Sequence, residues 1–235
     1  MFLRGGCLRH CWIVGTDTDV GKTFITTIYM RYLQKKGVKV IPYKPIQTGL
    51  VEKNGISYYH DTTYYVNYSL HPLEVESINS YSFPFPASPH YAAELEGIEI
   101  KEETIYSTID RLIKNVDVVL CEGAGGLYVP LQSNSNITFL DVIKKSSLPV
   151  ILVAHSKLGT INHTLLSVHS LQSKNIEIMG IILNRFGGSS LERDNLHTLK
   201  RFLPNIPLIT VEENRSIESF DDEYFFERLM AHDIR

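Results

Sequence analysis

The sequence predicts an α/β protein, a three-layer α/β/α sandwich built on a mostly parallel, doubly wound sheet. Three observations predict it. Short, nearly unbroken apolar runs rich in β-branched residues recur along the chain, as strands covered on both faces require. Helix-length segments separate them, the alternation that parallel crossovers need. Glycine-rich and polar motifs follow directly on those runs, where the carboxyl ends of parallel strands form a ligand crevice.

Taken in order, CWIVG (11–15) is the first predicted strand and residues 21–36 the first helix, carrying Phe24, Ile28 and Leu33. That helix closes in QKKG, cations followed by a glycine, which is a helix C-terminus. VKVIPYK (38–44) is the second strand, and helix 101–114 leads to the third, VDVVLCE (116–122). Helix 137–146 leads to LPVILVAH (148–155), and helix 161–174 to IMGIILN (178–184). Helix 189–202 leads to IPLITV (206–211), and a last helix is expected at 222–231. No repeat, low-complexity tract or Pro/Gly/Ser linker interrupts the chain. Residues 1–235 therefore read as one domain, with a short N-terminal extension at 1–8.

Composition narrows the function. The 235 residues are 43% hydrophobic and 21% charged, enough for a sizeable core, and the net charge of −3 with no basic run argues against a nucleic-acid partner. No stretch approaches the ~20 apolar residues of a membrane span. The opening MFLRGGCLRHCWIVG lacks the continuous apolar core of a signal peptide. Cys7, Cys11 and Cys121 are too few and too odd in number for a disulfide framework, so a reducing cytoplasm is expected. Cys7 and Cys11 lack a neighbouring His/Cys cluster, and the nine histidines show no metal spacing. Without a Gly-x-Ser-x-Gly or a nucleophile–base pair, covalent hydrolysis is disfavoured.

The first motif, GTDTDVGKT (15–23), resembles a phosphate-binding loop with one irregularity. The usual loop is a glycine, four residues, then Gly-Lys-Ser/Thr. Here Thr16 stands where the first glycine belongs and Gly15 comes one residue early. A strand, a tight loop and a helix opening at Gly21 still aim several N–H groups and a helix dipole at one spot. Lys22 is expected on the β/γ-phosphates and the Thr23 hydroxyl on Mg²⁺. Asp17 sits five residues before Lys22, where partitioning and electron-transfer ATPases carry a second lysine, which argues against that group. Asp17 and Asp19 are expected to accept N–H groups of the loop.

Glu122 ends a buried strand, the place for a Mg²⁺-binding acid; its alternative is a strand-end carboxylate facing solvent. The GAGG that follows lets a ligand approach the backbone. Lys44, at the end of another buried strand, must reach solvent or face an anion, and a second cation suits phosphoryl transfer. Asp61, in SYYHDTTYY, reads locally as a surface helix acid, and the tyrosines of 58–68 read as packing.

Taken together, GTDTDVGKT, YKPIQTG, EGAGGLYVPL, LPVILVAHSKLGTINH, the asparagine of ILNRF and SPH (88–90) resemble the dethiobiotin synthetases. That family is P-loop NTPase-like, and the likeness runs from about residue 11 to about 214. It implies a cyclo-ligase of biotin synthesis. 7,8-Diaminopelargonate takes up CO₂ as a carbamate, ATP phosphorylates the carbamate, and the second amine closes the ring with loss of phosphate. By that resemblance Thr23, Asp61 and Glu122 would hold Mg²⁺. Lys22 and Lys44 would contact phosphates and carbamate, and Thr18 and Thr48 would bond the carbamate or the amines, with the N–H groups of Gly125 and Gly126 nearby. Asp19, Val20, Gly21 and Phe24 would complete the ATP loop. Asn184 would read adenine, helped by Pro207 and Asn214. The family is homodimeric, and Gly159, Thr160 and Asn162 match the part that receives the substrate carboxylate from the partner chain. Two departures stand out: Asp19 where the family commonly has glutamate, and Thr62 after Asp61 where it has a small residue.

Two other readings compete. Cobyrinic-acid amidating synthetases share a similar loop but need a glutaminase domain, for which 235 residues leave no room. A nucleotide-dependent switch of the partitioning type is opposed by Asp17 and by Lys44 ahead of PIQTG.

Overall fold

The computed structural model describes residues 2–3, 6–218, 220, 226–227 and 229. Most of the helix expected at 222–231, whose described residues 226–227 and 229 are helical, most of the tail beyond 214 and part of the 1–8 extension lie outside the described residues.

The chain begins with a two-residue antiparallel pair, β1 (Phe2–Leu3) and β2 (Gly6–Cys7). There follow β3 (Cys11–Gly15), α1 (Lys22–Lys35), β4 (Val40–Tyr43), β5 (Ile46–Thr48), β6 (Leu50–Lys53), β7 (Ile56–Tyr59) and α2 (His60–Tyr68). After a 3₁₀ turn at Val75–Ser77 come β8 (Tyr81–Phe83), α3 (Pro89–Leu95), α4 (Glu102–Ile113), β9 (Val118–Gly126) and α5 (Phe139–Ser146). The last elements are β10 (Val150–His155), α6 (Thr160–Ser173), β11 (Ile178–Phe186), α7 (Ser190–Phe202) and β12 (Leu208–Glu212).

All six predicted core strands form one parallel sheet, ordered β12-β11-β10-β3-β9-β4. Its strands are apolar throughout because both faces are covered. Trp12, Val14, Cys121, Leu152 and Leu183 pack with Ile105, Phe139, Val168 and Leu199 of α4–α7. On the other face Ile13, Leu120, Val153 and Ile182 pack with Ile25, Ile28 and Leu33 of α1 and with Phe226. The Phe226 ring stacks on Tyr29 at 4.8 Å and Tyr32 at 4.7 Å, so Phe226 covers the outer side of α1. The order places β3 between β10 and β9, at the point where the winding reverses and a ligand crevice opens.

Sequence reading left out the small elements. β6 and β7 form a hairpin through Asn54 and Gly55, both at positive φ, the turn that Asn-Gly favours. β5 pairs with β8 across more than thirty residues in three-residue strands, too short to show a period. No helix among the described residues is long and apolar enough to cross a membrane.

α7 opens with a capping box in which the Ser189 side chain accepts from the Glu192 N–H while the Glu192 carboxylate accepts from the Ser189 N–H. Hydrogen bonds from Ser156, Gly187 and Ser189 pull the Glu192 pKa down to about 2. A depressed carboxylate stabilises the fold above its unfolded value and loses that contribution as pH falls toward its folded one. The melting-temperature gap between wild type and Glu192→Gln should therefore be widest near neutrality and narrow as pH falls from about 4.5 toward 2.

Candidate active site

The phosphate loop starts where β3 ends. A Cβ on Gly15 would lie 2.7 Å from the Asp17 carbonyl and 2.9 Å from Lys22 Nζ. The early glycine thus clears room for the Lys22 ammonium, which donates to the Asp17 carbonyl at 2.9 Å. Gly21 caps α1 at φ +95°, a conformation L side chains disfavour, and a Cβ there would meet the Asn184 amide nitrogen at 2.0 Å. Asp17 accepts from the Thr18 N–H at 2.7 Å, as expected, while Asp19 holds the left-handed conformation. Asn184 donates to the Val20 carbonyl at 2.9 Å, and Val20 itself is fully buried beneath the loop.

Asn184 therefore braces the phosphate loop. Asn184→Ala would orphan a buried carbonyl, at about 1–3 kcal/mol. The ATP KM should rise about 5- to 10-fold and the melting temperature of the nucleotide-free protein should fall. A residue that only reads the base would leave that melting temperature unchanged.

Three elements bring the acidic cluster together. Glu122, near the middle of β9, is fully buried, which rejects the solvent-facing alternative. Its Oε1 accepts from Lys44 at 2.6 Å and lies 3.0 Å from Thr23 Oγ1. Its Oε2 accepts from Thr26 Oγ1 at 2.9 Å and from the Tyr65 hydroxyl. Asp61 accepts from Thr23 Oγ1 at 2.8 Å through Oδ1 and pairs with Lys44 at 2.7 Å through Oδ2. Lys44 thus bridges both carboxylates, and the Thr23 hydroxyl sits between them. Asp61, which looks like a surface acid in its local sequence, opens α2, and that helix docks on α1 and delivers it here. The Thr62 hydroxyl lies within 2.8 Å of Gln47 Oε1 and 2.6 Å of Asn79 Oδ1, so the larger residue after Asp61 has its own polar site.

Electrostatics follow from this packing. Burial works against the charge on Lys44, but Glu122 and Asp61 outweigh it and hold the amine above its ordinary pKa. Burial likewise opposes ionisation of Asp61, and Lys44, His60 and Thr23 overcome it, holding the carboxyl well below the usual range. Lys22 has no such pair: burial first, then the Lys44 charge, bring it down to about 8. An arriving polyphosphate would supply the missing counter-charge. Tyr65 is raised by burial and by the nearby carboxylates, so its hydroxyl stays a donor.

Two carboxylates and a hydroxyl are a hard oxygen set, suited to Mg²⁺ beside substrate phosphates. Thr26 and Tyr65 occupy Glu122 Oε2, while Oε1, which takes Lys44, also lies 3.0 Å from the Thr23 hydroxyl, so the oxygens of Thr23, Asp61 and Glu122 fit that ion where it shares Glu122 Oε1 with the Lys44 ammonium. Among the described residues no three His, Cys, Asp or Glu side chains cluster.

The cluster floors a cleft of about 610 Å³. Of the expected residues, Thr18, Asp19, Gly21, Lys22, Thr23, Phe24, Lys44, Thr48, Asp61, Glu122, Gly125, Asn184 and Asn214 line it. Gly126 pairs with Gly15 under the loop, 3.5 Å from the Thr16 carbonyl to an added Cβ. Pro207 is displaced from its expected place: it precedes β12, and its carbonyl accepts from Ile181 N, at the amino end of a strand whose other end meets the cleft through Glu212. Gly159, Thr160 and Asn162 open α6 beyond the lining, with Asn162 exposed and the Thr160 hydroxyl bonded to the His155 carbonyl. Sequence reading missed Thr26, Tyr65, Arg185 and Arg215. Thr26 lies three residues after Thr23, and Tyr65 four after Asp61, spacings that share a helix face.

Comparison with known proteins agrees with this geometry. The chain superposes on the septum site-determining protein MinD from Pyrococcus horikoshii, solved with Mg-ADP, at a TM-score of 0.59 and 16% identity, covering 97% of this chain and 96% of that one. A cell-division ATPase MinD from Pyrococcus furiosus gives 0.57 at 14% identity, covering 96% and 98%. The fold is that of the P-loop NTPases, and a family model described as an AAA domain matches residues 9–220. An ATP-dependent dethiobiotin synthetase BioD from Lysinibacillus sphaericus is 47% identical over 97% of this chain and 99% of its own length. One from Clostridium perfringens is 36% identical over 91% and 94%. This chain belongs to the ATP-dependent dethiobiotin synthetase family.

Proposed function

We propose that the protein is an ATP-dependent cyclo-ligase that converts 7,8-diaminopelargonate and CO₂ to dethiobiotin, in the cytoplasm, as a step of biotin synthesis. The observation that carries this reading is Lys44, 2.6 Å from Glu122 and 2.7 Å from Asp61 and facing the same cleft as Lys22. Two lysines around one phosphate site suit a reaction whose acceptor, a carbamate, is itself an anion. Their charges draw that anion to a polyphosphate that would otherwise repel it.

Thr23, Asp61 and Glu122 would hold Mg²⁺, which neutralises phosphate charge when bound. Lys22 and Lys44 orient the transferred phosphoryl group and the carbamate oxygen that attacks it. Thr18, Thr48 and the N–H groups of Gly125 and Gly126 hold the carbamate and the free amine. Asn184 and Asn214 face the base end of the cleft. Once the carbamate is phosphorylated, the second amine attacks its carbon, phosphate departs with the carbamate oxygen, and no protein nucleophile takes part. The working unit is a homodimer, with Gly159 and Asn162 offering donors at the α6 terminus to the carboxylate of diamine held by the partner chain, and Thr160, whose N–H and hydroxyl bond the Lys157 and His155 carbonyls, fixing that terminus. The exposed Leu158 and Leu166 on either side of Asn162 suit a subunit boundary.

The test is ADP release with Mg·ATP, bicarbonate and a panel of nucleoside triphosphates. ADP should form only when the diamine is present. Diamine-indifferent hydrolysis stimulated by a protein partner would replace this reading with a nucleotide switch.

A further inference from the structure

The loops that follow β10 and β11 run side by side at the carboxyl edge of the sheet, the two strands pairing as far as His155 and Asn184. A buried polar group ties them. Ser156, 1% exposed, places its Oγ 2.5 Å from Glu192 Oε1 and 3.0 Å from the Arg185 carbonyl. Glu192 Oε1 also accepts from the Gly187 N–H at 3.0 Å. Its Oε2 accepts from the Ser189 N–H at 2.9 Å and the Ser189 hydroxyl at 2.7 Å. Asn195, one turn along α7, donates to the carbonyls of Ser156 at 2.9 Å and Lys157 at 3.3 Å. None of Ser156, Glu192 and Asn195 lines the cleft. Arg185 is held at φ +55°, directly after the Asn184 that grips the Val20 carbonyl. An unbroken path therefore runs from the phosphate loop through Asn184 and Arg185 to Ser156, and from there to Lys157 and the start of α6.

We propose that Ser156, Glu192 and Asn195 are positioning residues that lock residues 157–160 to the phosphate-loop brace. Nucleotide bound in one protomer thereby sets the carboxylate subsite that this protomer offers to its partner's diamine. The inference rests on the homodimeric ligase reading above. Ser156 is the joint, since its hydroxyl touches both loops while Glu192 keeps three other donors without it. By reciprocity of linkage, diamine bound at that subsite also tightens nucleotide.

The experiment compares full-length wild type, Ser156→Ala and Ser156→Thr. Loss of one positioning hydrogen bond should raise the diamine KM of Ser156→Ala about 5- to 10-fold. kcat should stay within about twofold, the ATP KM should rise by the same factor as the diamine KM at saturating diamine but stay within about twofold at trace diamine, and Ser156→Thr, which keeps the hydroxyl, should restore both. Amide hydrogen exchange of residues 157–160 provides an arm that needs no turnover. A non-hydrolysable ATP analogue with Mg²⁺ should slow that exchange in wild type and Ser156→Thr but not in Ser156→Ala. An unchanged diamine KM in Ser156→Ala, or a parallel fall of kcat and melting temperature, would overturn the proposal. So would equal slowing of exchange in all three proteins. If wild type itself shows no diamine-dependent ADP release, the ligase reading fails, and the exchange arm still decides whether the tether exists.

Discussion

Lys44→Ala is expected to lower kcat by on the order of 10²–10³, about 3–4 kcal/mol, as loss of one preorganised charge donor does. The ammonium is fixed before substrate arrives: Asp61 and Glu122 hold it at 2.7 and 2.6 Å, and it is nearly fully buried. No reorganisation is then needed as charge builds on the transferring phosphoryl group. The same contacts predict a second effect. Without Lys44, two carboxylates share the Thr23 hydroxyl at 2.8 and 3.0 Å with no cation between them. The variant should melt lower than wild type, and added Mg²⁺ should raise its melting temperature more than it raises that of wild type. Steady-state kinetics and thermal melts with and without Mg²⁺ read both effects. A change confined to KM would make Lys44 a binding residue only.

Glu122→Gln should damage both folding and turnover. Glu122 Oε1 faces Lys44 and the Thr23 hydroxyl it shares with Asp61, and Oε2 faces the Thr26 and Tyr65 hydroxyls. An amide can accept on one side only, so its NH₂ would face two donors in a fully buried place. Breaking a buried ion pair costs about 3–5 kcal/mol, and Lys44 keeps Asp61, so about 3 kcal/mol is expected here. For a chain of this size that is a fall of roughly 6–12 °C in melting temperature. kcat should drop at least ~10²-fold, and the Mg²⁺ needed for half-maximal rate should rise about tenfold. Native stability with lost activity would make Glu122 solely a metal ligand. Lowered stability with native kcat would remove it from the reaction.

The residues that proved easiest to read are those that follow directly on a buried strand. Lys44, Glu122 and Asn184 each stand at the end of an apolar run, and Gly21 and Lys22 in the loop and helix start that follow one; strands buried on both faces announce themselves as such runs. Even so, β9 and β11 run to Gly126 and Phe186, past the apolar stretch, because pairing continues where hydrophobicity stops. Asp61 was the opposite case. Its only local mark is a place in the first turn of a weakly patterned helix, and its partners lie far away in sequence. Thr26 and Tyr65 were hidden because helix spacing has meaning only once α1 and α2 are known to enclose Glu122. Pro207 does not line the cleft, which the chain meets one full strand later, at Glu212 and Asn214.

In the ligase mechanism phosphate leaves carrying an oxygen of the carbamate. This is tested most directly with ¹⁸O-labelled CO₂, supplied with diamine and Mg·ATP and sampled before the label exchanges with water. One labelled oxygen should appear in the ring carbonyl of dethiobiotin and another in inorganic phosphate, in equal amounts. Phosphate carrying only the solvent's oxygen would show that water, not a carbamate, receives the phosphoryl group, and would contradict the ligase mechanism.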